Sequence, residues 1–231
     1  MIRLNILAIA AVEDRTNLDE QIAKQSLQPN NVFVHIDDNP AQGINDRRIR
    51  IAENHKILAR AVEDLQPDLV WQLEGDSVLN HDTLQKLYDD FQILKGNGFG
   101  YVSGREIGRH GLYCLGAWNV ADDRKSFESL DYKEDKLVNV DATGFYCLLS
   151  QPKVWLSGEC SWNGEGWGPD VNFGLSLKKQ GYKIYVDPKI AVGHEVTHRN
   201  GTRGVISVEN SYMCNAKFTL VDGRWTYKTY E

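Results

Sequence analysis

Residues 69–84 read LVWQLEGDSVLNHDTL. The apolar run that opens this stretch stops at two carboxylates, Glu74 and Asp76, held apart only by Gly75. Leu, Val and Trp in succession after Pro67 give the pattern of a strand buried on both faces, the kind found in parallel sheets. Ligands of open parallel sheets bind beyond the carboxyl ends of the strands. Two charges at such an end are either solvated turn residues or part of a site.

The flanking sequence fits a parallel sheet. Upstream, RLNILAIAAV reads as a buried strand, and TNLDEQIAKQSL places Leu18 and Ile22 at helical spacing. NVFVHIDD is a second strand, ending in Asp37 and Asp38 as the opening stretch ends in Glu74 and Asp76. From Asn45 to Leu65, the positions Ile51, His55, Leu58, Val62 and Leu65 form one helical stripe. Downstream, Asn80 is placed to cap a helix whose Leu84, Leu87, Tyr88, Phe91 and Leu94 share a face. Alternating strands and helices predict an α/β fold, a mostly parallel central sheet with right-handed crossovers.

The second half is less regular. Residues 104–136 show little periodicity and read as a long loop. KLVNVDATGFYCLLS resumes as one or two strands, GEGWGPDVNFGLSLKKQGYKIYVDP runs from a loop through a helix into a strand, and AKFTLVDGRWTYKTY predicts a C-terminal β-hairpin about Asp222-Gly223. With no repeat and no Pro/Ser-rich linker, residues 1–231 read as a single domain, with a hairpin extension over 204–231. The net charge of −6 disfavours general nucleic-acid binding. LNILAIAAV is too short to cross a bilayer, Arg3 makes a weak signal-peptide start, and the cysteines form no CxxC pair, so a cytoplasmic chain with reduced thiols is expected.

Alternating residues at an extended strand end can turn both carboxylates to one side. Oxygen ligands of this kind suit Mg²⁺ or Mn²⁺, which bind substrate phosphates as well. A lone Glu-x-Asp is more often a solvated turn; its company changes the weighing. Over residues 4–200 the chain resembles the glycosyltransferases of the GT-A (Rossmann-like) fold, most nearly the inverting family 2. NILAIAAVEDR is similar to the family's opening strand and basic turn residue, here Arg15. VFVHIDDNP resembles the strand whose terminal aspartate receives the base, and RIRIAENHKILARAVED the helix before the Asp-x-Asp strand. WQLEGDSVLNHDTLQKL matches that strand with Glu74 replacing the first aspartate, and VDATGFYCLLS the strand bearing a glycine near the donor sugar. The most specific piece, EGWGPDVNFGLSLKKQGYKIYVDPKIAVGHEVTH, resembles the family's W-G-x-[ED]-D ending followed by G-H.

The resemblance implies an enzyme that moves a sugar from a nucleotide-sugar, commonly a UDP-sugar, to an acceptor hydroxyl, with a nucleotide-binding half over 1–100 and an acceptor and catalytic half over 101–203. It implies donor contacts from Arg15, Asp37 or Asp38, Glu74, Gly144 and Trp167, a Mn²⁺ (or Mg²⁺) ion on Asp76 and His194, and Asp170 as general base. Each residue has a plainer reading: His194 as a satisfied histidine, Asp170 as a helix cap, Trp167 as a packed side chain. Two positions depart from the family. Pro169 stands where an acidic residue is usual, leaving Asp170 alone, and Ala11-Val12-Glu13-Asp14-Arg15 replaces the usual opening turn. The alternatives are a catalytically inactive GT-A-like subunit, a sugar-phosphate nucleotidyltransferase, which needs a glycine-rich loop that AAVEDR lacks, and a carbohydrate-binding module, usually all-β. The acceptor stays open among a saccharide, a small glycoside, a protein and a modified nucleic-acid base.

Overall fold

The computed structural model describes residues 4–13, 15–37, 46–96, 98–107, 116–121, 126–129, 136–162, 167–197, 203–207, 215–221 and 224–230. In chain order the first elements are β1 (Ile6–Val12), α1 (Thr16–Ala23), β2 (Asn31–Ile36), α2 (Arg47–Leu65), β3 (Leu69–Glu74), β4 (Ser77–Leu79), α3 (Thr83–Leu94) and β5 (Phe99–Glu106). There follow β6 (Ala117–Val120), β7 (Ser126–Ser129), β8 (Val138–Val140), β9 (Ala142–Thr143), β10 (Cys147–Ser150), α4 (Pro152–Ser157) and α5 (Pro169–Lys179). The chain ends with β11 (Lys183–Thr197), β12 (Arg203–Ile206), β13 (Asn215–Val221) and β14 (Arg224–Tyr230).

The central sheet runs β12-β11-β5-β10-β3-β1-β2, and β4 and β8 pair with β11. β1 is parallel to β2 and β3, and β5 to β11. β10 enters between β3 and β5 antiparallel to both. The fold is the mixed α/β, mostly parallel sheet flanked by helices that the alternating pattern predicts. Alternate residues feed opposite faces. Ile6, Ala8, Trp71 and Leu73 meet Leu18 and Ile22 of α1 and Leu84, Leu87 and Phe91 of α3. Leu7, Ile9 and Val70 meet Leu58 and Val62 of α2, Trp155 of α4 and Phe173 of α5. Each fully buried large side chain contributes about 1.5–3 kcal/mol. Trp155 Nε1 donates to Gln72 Oε1 at 2.8 Å, so its polar edge is satisfied.

Several sequence expectations need adjusting. The α2 stripe buries His55, Leu58 and Val62, but Leu65 is exposed, because Gln66 turns left-handed (φ 44°) and ends the helix there. Asp82, not Asn80, precedes α3. The short strand β4 ends at Leu79, and the Asn80 carbonyl accepts from Thr83 N–H and Gln25 Nε2 in the turn that follows. The stretch read as a loop over 104–136 carries β6 and β7, which join β9 and the C-terminal hairpin in a second sheet, β14-β13-β7-β6-β9. That hairpin forms as expected, with Val221 opposite Arg224; its turn, Asp222-Gly223, lies outside the described residues. Among the described residues no helix is long and apolar enough to cross a membrane. Cys147 and Cys160 are free thiols, and burial pushes Cys147 up to about 12.

Candidate active site

The turn after β3 is pinned from several sides. Asn17 Nδ2 donates to the carbonyls of Gly75 (2.9 Å) and Ser77 (3.3 Å), Ser77 Oγ to the Tyr146 carbonyl (2.8 Å), and Glu195 N–H to the Asp76 carbonyl (2.8 Å). A Cβ on Gly75 would lie 2.5 Å from Val12 Cγ1, so the smallest residue is demanded by the neighbouring strand. β4 pairs with β11 so that Ser77 faces His194. The result is a cluster: Glu74, Asp76 and His194 each offer a ligand atom, all within 4.8 Å of one another. His194 Nε2 lies 3.7 Å from Glu74 Oε2 and 3.7 Å from Asp76 Oδ1. Its Nδ1 sits 3.2 Å from the Ile107 carbonyl, which can only accept, so Nδ1 carries a proton and Nε2 is the atom turned to the carboxylates. Glu106 Oε1 approaches the same Nε2 at 2.6 Å. Burial pushes the Glu106 carboxyl up to about 8; His194 opposes the rise and the charge of Glu74 adds to it.

Above the cluster opens a cleft of about 670 Å³. Its walls carry six carboxylates, Glu13, Glu20, Asp37, Glu74, Asp76 and Glu195, against two guanidiniums, Arg47 and Arg50. An anionic diphosphate entering such a cleft needs a cation with it. Asp37 is buried in the wall, accepting from Asn54 Nδ2 (2.9 Å) with Arg50 Nε at 3.3 Å. Asp38 lies outside the described residues. Arg47 stands half-exposed, 3.6 Å from Glu74.

The other sequence candidates take different places. Arg15 is forked onto Asp19 at 2.8 Å and is not among the residues lining the cleft. Gly144 donates to the Gly116 carbonyl beneath the Tyr146 ring, also off the cleft lining. Trp167 packs with Trp118, Ala142 and Val171, and Trp162 stacks under the Arg48 guanidinium at 4.1 Å. Gly168, not Asp170, is the N-cap of α5; Asp170 sits in the first turn, its Oδ1 accepting the Val171 N–H at 2.9 Å. Burial raises the Asp170 carboxyl to about 6; the Val171 N–H opposes this, and the Glu74 charge adds to it. Asp170 is therefore within electrostatic reach of the cluster.

Sequence reasoning missed Glu106, Arg47 and Arg50. Glu106 ends β5 as Glu74 ends β3, so the strand-end rule finds it once residues 99–106 are read as a strand through to the last residue. Neither a protein-family model nor a curated protein matches the sequence. Among solved structures, A197 from STIV superposes with a TM-score of 0.53 at 14% identity, over 91% of this chain and 96% of that one. GalNAc-T7, solved with UDP, GalNAc and Mn²⁺, superposes with a TM-score of 0.52 at 11% identity. That match covers 83% of this chain and 44% of that one, so the chain spans less than half of that enzyme. These likenesses establish the architecture, consistent with a Rossmann-like GT-A fold.

Proposed function

We propose that the chain is a metal-dependent, inverting glycosyltransferase of the family 2 kind, transferring a sugar from a UDP-sugar to an acceptor hydroxyl. The observation that carries this reading is the convergence of Glu74, Asp76 and His194, with Glu74 and Asp76 lining an acidic cleft and His194 buried behind them. The donor set, two carboxylates and an imidazole, fits Mn²⁺ or Mg²⁺. Asp76 and His194 would hold the ion, whose Lewis acidity serves the departing diphosphate. In this reading Asp37 receives the base, Arg47 meets a phosphate, and Glu74 holds the ribose or an ion-bound water. Asp170 takes the proton of the acceptor hydroxyl as that oxygen attacks the anomeric carbon from the side opposite the leaving group. A carboxyl raised to about 6 is better matched to that task than one near 4.

The test is calorimetric. UDP binding should be strengthened by Mn²⁺, and Asp76→Ala should abolish the enhancement. Equal UDP affinity with Mn²⁺ and with EDTA would remove the metal from the reading.

A further inference from the structure

We propose that Glu106 is a fourth protein ligand of the ion, and that the protein holds this ion before any nucleotide arrives; this rests on reading Glu74, Asp76 and His194 as a metal site. β5 and β11 run parallel with Val192 opposite Glu106. Side chains two apart on a strand share a face, so Glu106 and His194 project from the same face of neighbouring strands. Glu106 is 1% exposed, and neither of its oxygens has a hydrogen-bond partner among the described residues. Its Oε1 stands 2.6 Å from His194 Nε2, which carries no proton once Nδ1 holds one, so these two acceptor atoms must share either a proton or a cation.

A carboxyl buried this deeply either keeps its proton, as the rise of Glu106 to about 8 describes, or gives it up to a cation. Glu106 stands outside the group whose atoms lie within 4.8 Å of one another, but it meets that group at His194 Nε2. Two atoms bound at about 2.1 Å to one octahedral ion lie about 3 Å apart. The Nε2–Oε1 distance of 2.6 Å and the Nε2–Oε2 and Nε2–Oδ1 distances of 3.7 Å to Glu74 and Asp76 fall on either side of that value. Small movements of side chains would bring these atoms to it. The charge count then sets the order of binding. One or two carboxylates hold such an ion weakly and lean on substrate phosphates. Glu74, Asp76 and Glu106, once all are ionised, more than balance a divalent ion without help from a nucleotide.

The experiment uses the full chain and Mn²⁺ alone, with free ion counted by electron paramagnetic resonance and stability followed by thermal unfolding. Wild type should bind Mn²⁺ without nucleotide and melt at a higher temperature with it. Glu106→Gln should weaken Mn²⁺ binding by roughly tenfold to a hundredfold and lose the thermal shift. Its metal-free melting temperature should stay close to wild type's, because the amide keeps the shape and can donate to His194 Nε2 where the acid's proton did. Should the amide variant fold poorly, Glu106→Asp, with the carboxylate drawn back by one methylene, should show the same loss. Equal Mn²⁺ affinity in wild type and either folded variant overturns the inference. So does a wild type that binds Mn²⁺ only when UDP is present, a result that leaves the transferase reading standing. A Glu106-dependent Mn²⁺ site in a protein that ignores UDP upholds the inference and removes the transferase reading instead.

Discussion

Two histidines occupy this molecule at nearly the same depth, His55 at 7% exposure and His194 at 4%, and their surroundings are opposite. His55 on α2 stacks on Trp155 at 4.3 Å and lies against Phe145 and Phe173. Its Nε2 has no hydrogen-bond partner among the described residues, and burial drives its pKa down to about 4. His194 has three carboxylates around one nitrogen and a carbonyl holding the other. Burial alone says nothing of function; what decides is whether the ring's polar atoms meet groups that need a cation. His55 is a flat neutral ring filling an aromatic core, whereas His194 faces the carboxylates on which the proposed ion site rests.

The largest effect expected lies on the carboxylate side of this contrast. Asp170→Asn keeps the side chain's size and its acceptor for the Val171 N–H, but the amide cannot take a proton. Sugar transfer should fall by about 10²–10⁴-fold while UDP-sugar affinity stays nearly unchanged. The wild-type rate should fall away below about pH 6, the value to which Asp170 is raised, because the base must be ionised to act. A variant transferring at wild-type rate would reduce Asp170 to a residue of the helix start.

The second prediction sets the histidines against each other. His55→Ala should cost about 3 kcal/mol of stability by emptying the space between Trp155 and Phe173, with Mn²⁺-dependent UDP binding retained in the folded fraction. His194→Asn should weaken that binding by roughly tenfold to a hundredfold while costing less stability. Denaturant unfolding and calorimetry on both variants check it, and a reversed pattern would break the comparison.

A third prediction follows from His55 alone. Its folded-state pKa of about 4 lies below the unfolded value near 6.5, so the fold favours the neutral ring. Its contribution is complete above pH 6.5 and is lost as pH falls through 4, a swing of about 3 kcal/mol. His55→Phe should flatten that part of the stability–pH curve. An unchanged curve would mean that His55 is not the group responsible.

How much of this was legible differs by region. The first sheet half was, because β1 and β3 carry their burial locally, as apolar runs broken by charge, and the exposed edge strand β2 shows its β-branched run. His194 was legible only through its place in a longer pattern, since a single histidine in a strand says nothing of what surrounds it. Glu106 was not, because Gly104-Arg105-Glu106 lacks the apolar run that marks a strand. Its strand character comes from Val192 and its neighbours across the sheet. The second sheet was hidden for the same reason: β7 is held by β13, whose residues lie far along the chain.

The smallest effect expected concerns Gly75, the residue between the two carboxylates. From the sequence, its lack of a side chain leaves room for a ligand; in the structure that room is bounded by Val12. An added Cβ would meet Val12 Cγ1 at 2.5 Å and Cβ at 2.9 Å, and Val12 is buried, with a β-branched side chain that has little rotamer freedom. Gly75→Ala should therefore push the turn off the end of β1, costing about 1–3 kcal/mol of stability. With Glu74 and Asp76 carried along, Mn²⁺-dependent UDP affinity should drop by roughly tenfold, which is about 1.4 kcal/mol. The informative measurement is the double variant. Val12→Ala removes Cγ1, the nearer of the two atoms that the new methyl strikes, so Gly75→Ala made in that background should cost less in both stability and affinity than it does alone. If the two costs simply add, the methyl is obstructing the ligand itself, and the need for glycine comes from the cleft side of the turn.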